Sequence, residues 1–274
     1  MVCPVCPTVF IGKAMPRFAA NLSLLFTEAP FLERFSLAKK AGFSVVEFQF
    51  PYAFEAQAIA NELKQNDLTL ALFNLPAGDW AAGDRGLATD PNRINEFQVG
   101  VERALHFAAV LNPPQLNCLL GLRPAGLSDD HIRTTVVKNL SYALEKLAPL
   151  GIPLLMEPVN TFDVPGFYLN TVEQAADLIA EIKSEHLFIQ YDLYHQQRMR
   201  GELVNTYVKH KHLIRHIQLA DTPGRHEPGT GEVNYPNVLK AIRGAGYQGW
   251  IGCEYNPAAK TEAGLSWLQT CAEQ

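Results

Sequence analysis

The sequence has no long uninterrupted apolar segment and no cluster of basic residues. A helix that crosses a bilayer needs roughly 18 or more consecutive apolar residues, and no stretch of the 274 residues approaches that length. Lys and Arg number 23 against 28 Asp and Glu, a net charge of −5, whereas nucleic-acid binders need clustered positive charge to neutralise phosphates. We therefore expect a soluble protein with neither a membrane partner nor a nucleic-acid partner.

Two glycine-rich phosphate motifs are also missing. The first strand-to-helix turn reads NLSLLFTEAP, without the G-x-G-x-x-G of dinucleotide-binding folds, and no G-x-x-x-x-G-K-[ST] occurs anywhere in the chain. Both motifs work by bringing backbone N–H groups close to phosphates. Their absence argues against nucleotide binding and phosphate transfer, and the sequence predicts no organic cofactor.

Cysteine is scarce. The five cysteines are an odd number and the last three lie far apart, a pattern typical of reduced, cytoplasmic proteins rather than of a disulfide framework. Two of them have C-x-x-C spacing, but no second pair completes a zinc site and no strand precedes them as in a redox motif. The cysteines are Cys3, Cys6, Cys118, Cys253 and Cys271.

The N-terminal segment does not read as part of the folded body. It lacks the basic region, apolar stretch and small-residue cleavage site of a signal peptide. Met15 opens the stretch MPRFAANLS, which reads as the start of a first strand. We expect residues 1–14 to be a mobile extension and residues 15–274 to form one catalytic domain.

Short apolar segments alternate with segments of helical periodicity along the rest of the chain. Residues 92–111 carry an apolar stripe after Asp90 as the N-cap, and residues 129–148 do so after Ser128. Thr171 begins a capping box for a further helix. Eight near-continuous apolar runs predict parallel strands at 17–22, 44–50, 68–75, 114–121, 153–158, 187–192, 214–220 and 250–255.

Eightfold alternation predicts a single α/β domain with the (β/α)8 TIM-barrel fold, whose usual size is about 250 residues. The alternative, an open doubly wound sheet, is disfavoured because the first turn has no dinucleotide motif. In a barrel, the active site lies where the strands end at their carboxyl side.

Four consecutive predicted strands each deliver one oxygen-bearing side chain at that end: Glu157, Asp192, Gln218 and Glu254. Buried carboxylates are unfavourable unless they are paired or bind a cation. Oxygen-only ligands suit a hard divalent ion such as Mg²⁺ or Mn²⁺. The four side chains therefore predict a metal site; the alternative for each one alone is an exposed strand-end carboxylate.

Other polar and aromatic residues lie in the loops at the same end. We expect Asn74 at the end of strand 3 and His195, three residues after Asp192, to contact substrate. Trp80 either covers the substrate or packs in its loop. Arg225 is a candidate clamp for a substrate carboxylate, since its planar fork matches a carboxylate; the alternative is a salt bridge to Glu227 or Glu232.

Glu157 and Glu254, on either side of a divalent ion, are a natural proton-transfer pair. A cation bound by the carbonyl and hydroxyl oxygens of a 2-hydroxycarbonyl substrate would acidify the C–H bond and stabilise the ene-diolate. One glutamate could then remove a proton and the other return one to the neighbouring carbon. This is the chemistry of aldose–ketose isomerases.

The chain resembles the hydroxypyruvate isomerase family of xylose-isomerase-like TIM barrels. The resemblance runs from Met15 to about Trp267 and lies in FAANLS, VEFQFPY, NLPAGDWAAGDRG, EPVNTFDVPGF, IQYDLYHQQRM, DTPGRHEPGTGEVNY and GWIGCEY. It implies Glu157 and Glu254 as the acid/base pair and the four residues above as metal ligands. By likeness to related sugar epimerases, which usually have His where this chain has Gln218, it implies substrate contacts for His195 and Arg225.

The resemblance further implies conversion of hydroxypyruvate to 2-hydroxy-3-oxopropanoate (tartronate semialdehyde). A related subgroup acts on four-carbon 2-oxo-tetronates, and a ketose 3-epimerase, an abasic-site nuclease and a non-catalytic small-acid sensor are further alternatives. Barrels of this size often associate, so a homodimer is the default expectation.

Overall fold

The computed structural model of the protein describes residues 17–272. The predicted extension at residues 1–14 lies outside this range. Within it, strands and helices alternate as the sequence predicts. The strands are β1 (Arg17–Asn21), β2 (Val45–Glu47), β3 (Thr69–Leu70), β4 (Phe73–Asn74), β5 (Leu116–Cys118), β6 (Leu154–Met156), β7 (Leu187–Asp192), β8 (Ile214–Leu219) and β9 (Trp250–Cys253).

Nine α-helices within residues 17–272 accompany the strands: α1 (Arg34–Lys40), α2 (Ala56–Gln65), α3 (Ile94–Leu111), α4 (Asp129–Leu147), α5 (Val172–Ile182), α6 (Leu193–Met199), α7 (Leu203–His210), α8 (Tyr235–Gly244) and α9 (Trp267–Ala272). Short 3-10 helices occur at Phe31–Glu33, Pro51–Ala53, Pro91–Arg93, Ala148–Leu150 and Thr261–Gly264. No helix in the described range is long and apolar enough to cross a membrane.

All the strands are parallel and form one sheet in the order β3-β2-β1-β9-β8-β7-β6-β5-β4. The two outer members, β3 and β4, are halves of one predicted strand, 68–75. On one side this strand bonds to β2, where the N–H of Ala71 donates to the Val46 carbonyl (2.8 Å). On the other side it bonds to β5, where the N–H of Leu75 donates to the Asn117 carbonyl (2.7 Å). The first and last positions of the sheet are therefore the same strand, and the sheet closes into an eight-stranded barrel.

The predicted capping residues are confirmed, although Asp90 caps the 3-10 helix Pro91–Arg93 that leads into α3 and not α3 itself. The Asp90 side chain accepts the N–H of Asn92 (2.9 Å), and Ser128 Oγ accepts the N–H of His131 (3.3 Å). At α5, Thr171 Oγ1 accepts the N–H of Gln174 (3.1 Å), while Gln174 Oε1 turns back to the N–H of Asn170 (3.1 Å). The second arm of the capping box thus reaches one residue before the cap.

The side chains inside the barrel change from apolar to polar along its axis. At the amino ends of the strands, Ala19, Val45 and Ala71 form a small apolar layer covered by Trp250. Towards the carboxyl ends, the inward side chains are polar and fully buried, among them Glu47 and His216. A large apolar cluster fills the space between the sheet and the helices. The buried polar end of the barrel marks the position of a site.

Candidate active site

Three carboxylates and one imidazole meet at the carboxyl end of the barrel. Glu157 directly follows β6, Asp192 is the last residue of β7, and Glu254 directly follows β9. Together with His195, at the start of α6, they offer ligand atoms that all lie within 4.8 Å of one another, and all four residues are buried. The structure therefore brings these three strand-end carboxylates together.

Amide side chains hold Glu157 in place. Its Oε2 accepts hydrogen bonds from Gln190 Nε2 (2.7 Å) and Asn117 Nδ2 (3.1 Å). Asn117 Nδ2 also reaches Asn74 Oδ1 (3.3 Å), so the predicted substrate residue Asn74 stands one side chain away from Glu157. Glu157 Oε1 lies 3.6 Å from His195 Nε2.

Glu254 is held from two directions. Its Oε1 accepts from Gln49 Nε2 (2.9 Å) and Asn21 Nδ2 (3.4 Å), and its Oε2 accepts from the guanidinium of Arg225 (2.9 Å). The partner of Arg225 is therefore Glu254, and not Glu227 or Glu232. Arg225 Nε is buried without a hydrogen-bond partner, so the guanidinium retains a donor at the site.

The two carboxylate oxygens of Asp192 have different surroundings. Its Oδ1 caps α6 by accepting the N–H groups of Tyr194 (2.7 Å) and His195 (3.4 Å). Its Oδ2 is buried and has no hydrogen-bond partner. The Nε2 atom of His195 lies 3.6 Å from both Asp192 Oδ2 and Glu157 Oε1.

The electrostatics reflect a surplus of buried negative charge. Burial, then the charges of Glu254 and Asp192, raise the pKa of Glu157 well above its usual value. Burial and Glu254 raise the pKa of Asp192 to about 7, and burial raises that of Glu254 against the opposing effect of Arg225. Burial, with Arg225 and Arg198, lowers the pKa of His195 well below its usual value, so the imidazole is neutral.

These residues fit a hard divalent cation. Three buried carboxylates face a single guanidinium, and isolated buried charge is unfavourable unless a cation or partner compensates it. Asp192 Oδ2 is an oxygen without a hydrogen-bond partner at the centre of this group. Carboxylate oxygens are the ligands that Mg²⁺ and Mn²⁺ prefer. The donor set is therefore compatible with a divalent metal site.

The predicted fourth ligand, Gln218, belongs to a polar layer in the barrel interior. Its Oε1 accepts from Gln190 Nε2 (2.6 Å), and its Nε2 donates to Glu47 Oε1 (2.7 Å). Glu47 Oε2 lies 2.7 Å from His216 Nε2, and both side chains are fully buried. Gln218 is thus connected to Glu157 through Gln190.

Trp80 lies on the loop between β4 and α3, outside the hydrogen-bonded cluster. Its ring packs against Phe50, with centroids 5.2 Å apart, and the guanidinium of Arg85 lies 4.1 Å above it. The side chain is 42% exposed. The structure therefore shows the packing interaction, and substrate contact by Trp80 stays a prediction.

Sequence reasoning missed the amide and carboxylate residues that orient the cluster. Polar side chains at alternate positions of an apolar strand could have indicated them, because residues i and i+2 face the same side of a strand. Examples are Glu47 and Gln49 in VVEFQF, and Gln190 with Asp192 in FIQYD. The missed residues are Asn21, Glu47, Gln49, Asn117, Asn160 and Gln190.

Comparison with known proteins agrees with this architecture. The family model of xylose isomerase-like TIM barrels matches residues 35–271. Hydroxypyruvate isomerase of Escherichia coli K12 is 50% identical over 254 residues, which cover 93% of this chain and 98% of that protein. The 2-oxo-tetronate isomerase of Cupriavidus necator is 44% identical over 255 residues, covering 93% and 98%.

Among solved structures, an AP endonuclease of family 2 from Brucella melitensis superposes with a TM-score of 0.91 at 48% identity, covering 93% of this chain and 99% of that one. Fold, site and sequence therefore agree, and the chain belongs to the xylose isomerase-like TIM barrel family. Within that family it is similar to the hydroxypyruvate and 2-oxo-tetronate isomerases, and it is an enzyme of the isomerase class.

Proposed function

We propose that the protein interconverts hydroxypyruvate and 2-hydroxy-3-oxopropanoate by proton transfer between two adjacent carbons, in the cytoplasm. The observation that carries this proposal is that Glu157 and Glu254 belong to one buried cluster, in which each offers a carboxylate oxygen within 4.8 Å of the other ligand atoms. Such a pair can take a proton from one carbon and return one to its neighbour. The sequence identity of 50% to the E. coli hydroxypyruvate isomerase supports the choice of substrate.

The surrounding residues prepare both glutamates for this task. The raised pKa values of Glu157 and Glu254 bring carboxyl groups nearer to the range in which they can both accept and donate protons. Asn117 and Gln190 fix one oxygen of Glu157, and Gln49 fixes one oxygen of Glu254. Each carboxylate is therefore oriented before substrate arrives.

We propose Glu157, Asp192, Gln218 and Glu254 as the ligands of Mg²⁺ or Mn²⁺. A bound divalent cation would supply Lewis-acid stabilisation of the negative charge that develops on the substrate oxygens. For Gln218, coordination requires that its amide oxygen exchange the hydrogen bond from Gln190 for the cation.

Arg225, His195 and Asn74 are the proposed substrate-binding residues, with Trp80 at the rim. Arg225 has a buried, unpartnered N–H and a guanidinium suited to the substrate carboxylate. His195 offers its Nε2 between Glu157 and Asp192. An acid substrate bound here would meet one cationic side chain and one neutral imidazole.

A 2-oxo-tetronate is the alternative substrate, because a relative acting on that class is 44% identical. The second alternative, epimerisation of a ketose at C3, would use the same two glutamates on opposite faces of one carbon. The endonuclease named for the B. melitensis structure would need a binding path for a phosphate backbone, and the net charge of −5 disfavours one.

Turnover followed by NMR in D2O tests the reaction. Hydroxypyruvate, a 2-oxo-tetronate and a ketose are each offered, and we expect fastest turnover of hydroxypyruvate with deuterium entering the product. Glu157→Gln and Glu254→Gln should each lower kcat by about 100-fold or more, whereas the surface variant Glu181→Gln should match the wild type. Full turnover in either active-site variant, or a ketose epimerised with no aldehyde product, contradicts the proposal.

Metal binding is tested separately from activity. Calorimetric titration with Mn²⁺ should show one site in the wild-type protein and at least about 10-fold weaker binding in Asp192→Asn, since even outer-shell changes at metal sites cost 10- to 100-fold. The Asn oxygen can still cap α6, so the fold should persist. Asp177→Asn, at an exposed position of α5, is the matched control. Equal Mn²⁺ affinity in all three proteins would refute the site.

A further inference from the structure

We infer that Asn160 fixes the tautomer of His195 and thereby makes this imidazole a hydrogen-bond donor to substrate rather than a metal ligand. The inference deepens the proposed function and rests on it for its catalytic consequence. Asn160 lies in the loop after β6, three residues beyond Glu157, and is fully buried. It does not belong to the carboxylate cluster itself.

The orientation of the Asn160 amide is fixed by its own loop. Its Oδ1 accepts two backbone hydrogen bonds, from the N–H of Phe162 (3.1 Å) and of Asp163 (2.9 Å). A flipped amide would place its NH2 group against both of these donors and lose both bonds. Oδ1 must therefore face the loop backbone, and Nδ2 must face away from it.

Asn160 Nδ2 is consequently the amide atom in contact with the His195 imidazole. It lies 2.7 Å from His195 Nδ1 and 3.0 Å from Asp163 Oδ2, so each of its two hydrogens has an acceptor. The backbone N–H of Asn160 points at the same Nδ1 atom (3.4 Å). Two donors on Nδ1 require a lone pair there, and in a neutral imidazole the proton must then sit on Nε2.

This assignment decides what His195 presents to the site. Nε2 lies 3.6 Å from both Glu157 Oε1 and Asp192 Oδ2. By position alone His195 could complete a coordination sphere with the three carboxylates. With its proton on Nε2, the ring has no lone pair directed at the cluster, and it can only donate a hydrogen bond to an anionic oxygen held there. The fourth ligand is then left to Gln218.

The tautomer is measured directly, without turnover, by two-bond ¹H–¹⁵N correlation spectra of the full chain labelled at histidine. We expect His195 to show the Nε2–H pattern in the metal-free protein and to keep it when Mg²⁺ is added. An Nδ1–H pattern in the free protein, or loss of the Nε2 proton on adding Mg²⁺, would overturn the inference. Either result would leave the isomerase assay unaffected, so the two proposals fail separately.

Asn160→Asp in an Asp163→Asn background is the decisive variant, because it keeps the shape, replaces the donor with an acceptor and avoids placing two carboxylates about 3.0 Å apart. We expect the spectrum to change to a ring protonated at Nδ1 and kcat to fall by about 10- to 100-fold, as for other residues that orient a functional histidine. Asp163→Asn is the matched control: it alters the other contact of the Asn160 amide but not the donor to Nδ1, so the Nε2–H pattern should persist.

A double-variant comparison separates an effect through His195 from a general loosening of the loop. In a His195→Gln background that also carries Asp163→Asn, Asn160→Asp should cost less than about threefold in kcat, because the ring through which it acts is gone and coupled residues are non-additive. If Asn160→Asp costs the same factor with and without His195, the residue acts through the loop and the inference is wrong.

Discussion

The guanidinium of Arg225 donates to the Glu254 carboxylate across 2.9 Å while its Nε stays buried and unpartnered. We propose that this one cation serves two acceptors, the carboxylate of Glu254 and that of the incoming substrate. Although burial alone would lower it, the charges of Glu254, Asp192 and Glu157 raise the pKa of Arg225. The charge on this side chain is therefore permanent, and its planar shape decides whether both contacts can be made together.

Arg225→Lys tests this double contact. Lys retains the charge but cannot donate to two acceptors through a rigid fork, so we expect KM for hydroxypyruvate to rise by about 10-fold or more, since a hydrogen bond to a charged group contributes about 1.5–3 kcal/mol. Inhibition by a non-reacting 2-hydroxy acid and by its neutral amide separates the contacts. The substitution should weaken inhibition by the acid and hardly change inhibition by the amide.

Arg133→Lys, on the surface beside Glu181, is the matched control and should leave both inhibition constants unchanged. Equal weakening of acid and amide by Arg225→Lys would mean that Arg225 acts through Glu254 alone and does not contact the carboxylate.

Another buried carboxylate, Asp221, stabilises the loop that carries Arg225. Its Oδ2 accepts the N–H groups of Gly229 (2.8 Å) and Gly231 (3.0 Å), and its Oδ1 those of Thr222 (2.9 Å) and Val233 (3.1 Å). Asp221→Ala removes both acceptor oxygens and with them all four hydrogen bonds. Because a buried donor such as the N–H of Thr222 costs about 1–3 kcal/mol when it loses its partner, we expect a lower free energy of unfolding and a raised KM.

Hydrogen exchange locates the effect of Asp221→Ala. Amides of residues 229–233 should exchange at least about 10-fold faster, because opening a local segment becomes easier when its hydrogen bonds are lost. Amides of β7 should keep their protection. Unchanged exchange rates at residues 229–233 would show that the loop keeps its structure without the hydrogen bonds to Asp221.

The fold was predictable because its signals are local. Apolar runs, caps at Asp90 and Ser128, and the strand–helix alternation each depend on neighbours in sequence, and the structure confirms them. The division of the predicted strand 68–75 into β3 and β4 could not be foreseen, because its pairing changes from β2 to β5 where the barrel closes.

The site was predictable in part for the same reason. Glu157, Asp192 and Glu254 stand at strand ends, and a parallel barrel brings all strand ends to one face. The partnership of Arg225 with Glu254 and of His195 with Asn160 depends on how loops far apart in sequence meet in space. Neither contact follows from spacing along the chain, so both had to come from the structure.

Two glycines give opposite expectations for the same substitution. A methyl group on Gly252 in β9 would overlap both carboxylate oxygens of Glu47, whereas one on Gly244, at the end of α8, would meet nothing within 4 Å. Glu47 cannot easily move aside, because hydrogen bonds from Asn21 (3.0 Å) and Gln218 (2.7 Å) and the contact with His216 (2.7 Å) hold it. Overpacking in a well-packed interior costs about 1–3 kcal/mol.

We therefore expect Gly252→Ala to lower the free energy of unfolding by about 1–3 kcal/mol and Gly244→Ala to raise it by up to about 1 kcal/mol through helix propensity. Urea unfolding of the two variants and the wild type measures both signs at once. Since Glu47 also orients Gln218, Gly252→Ala should in addition weaken Mn²⁺ binding, which Gly244→Ala should not do. If Gly252→Ala proves as stable as the wild type, Glu47 has an alternative position, and the polar layer in the barrel interior is less rigid than its hydrogen bonds indicate.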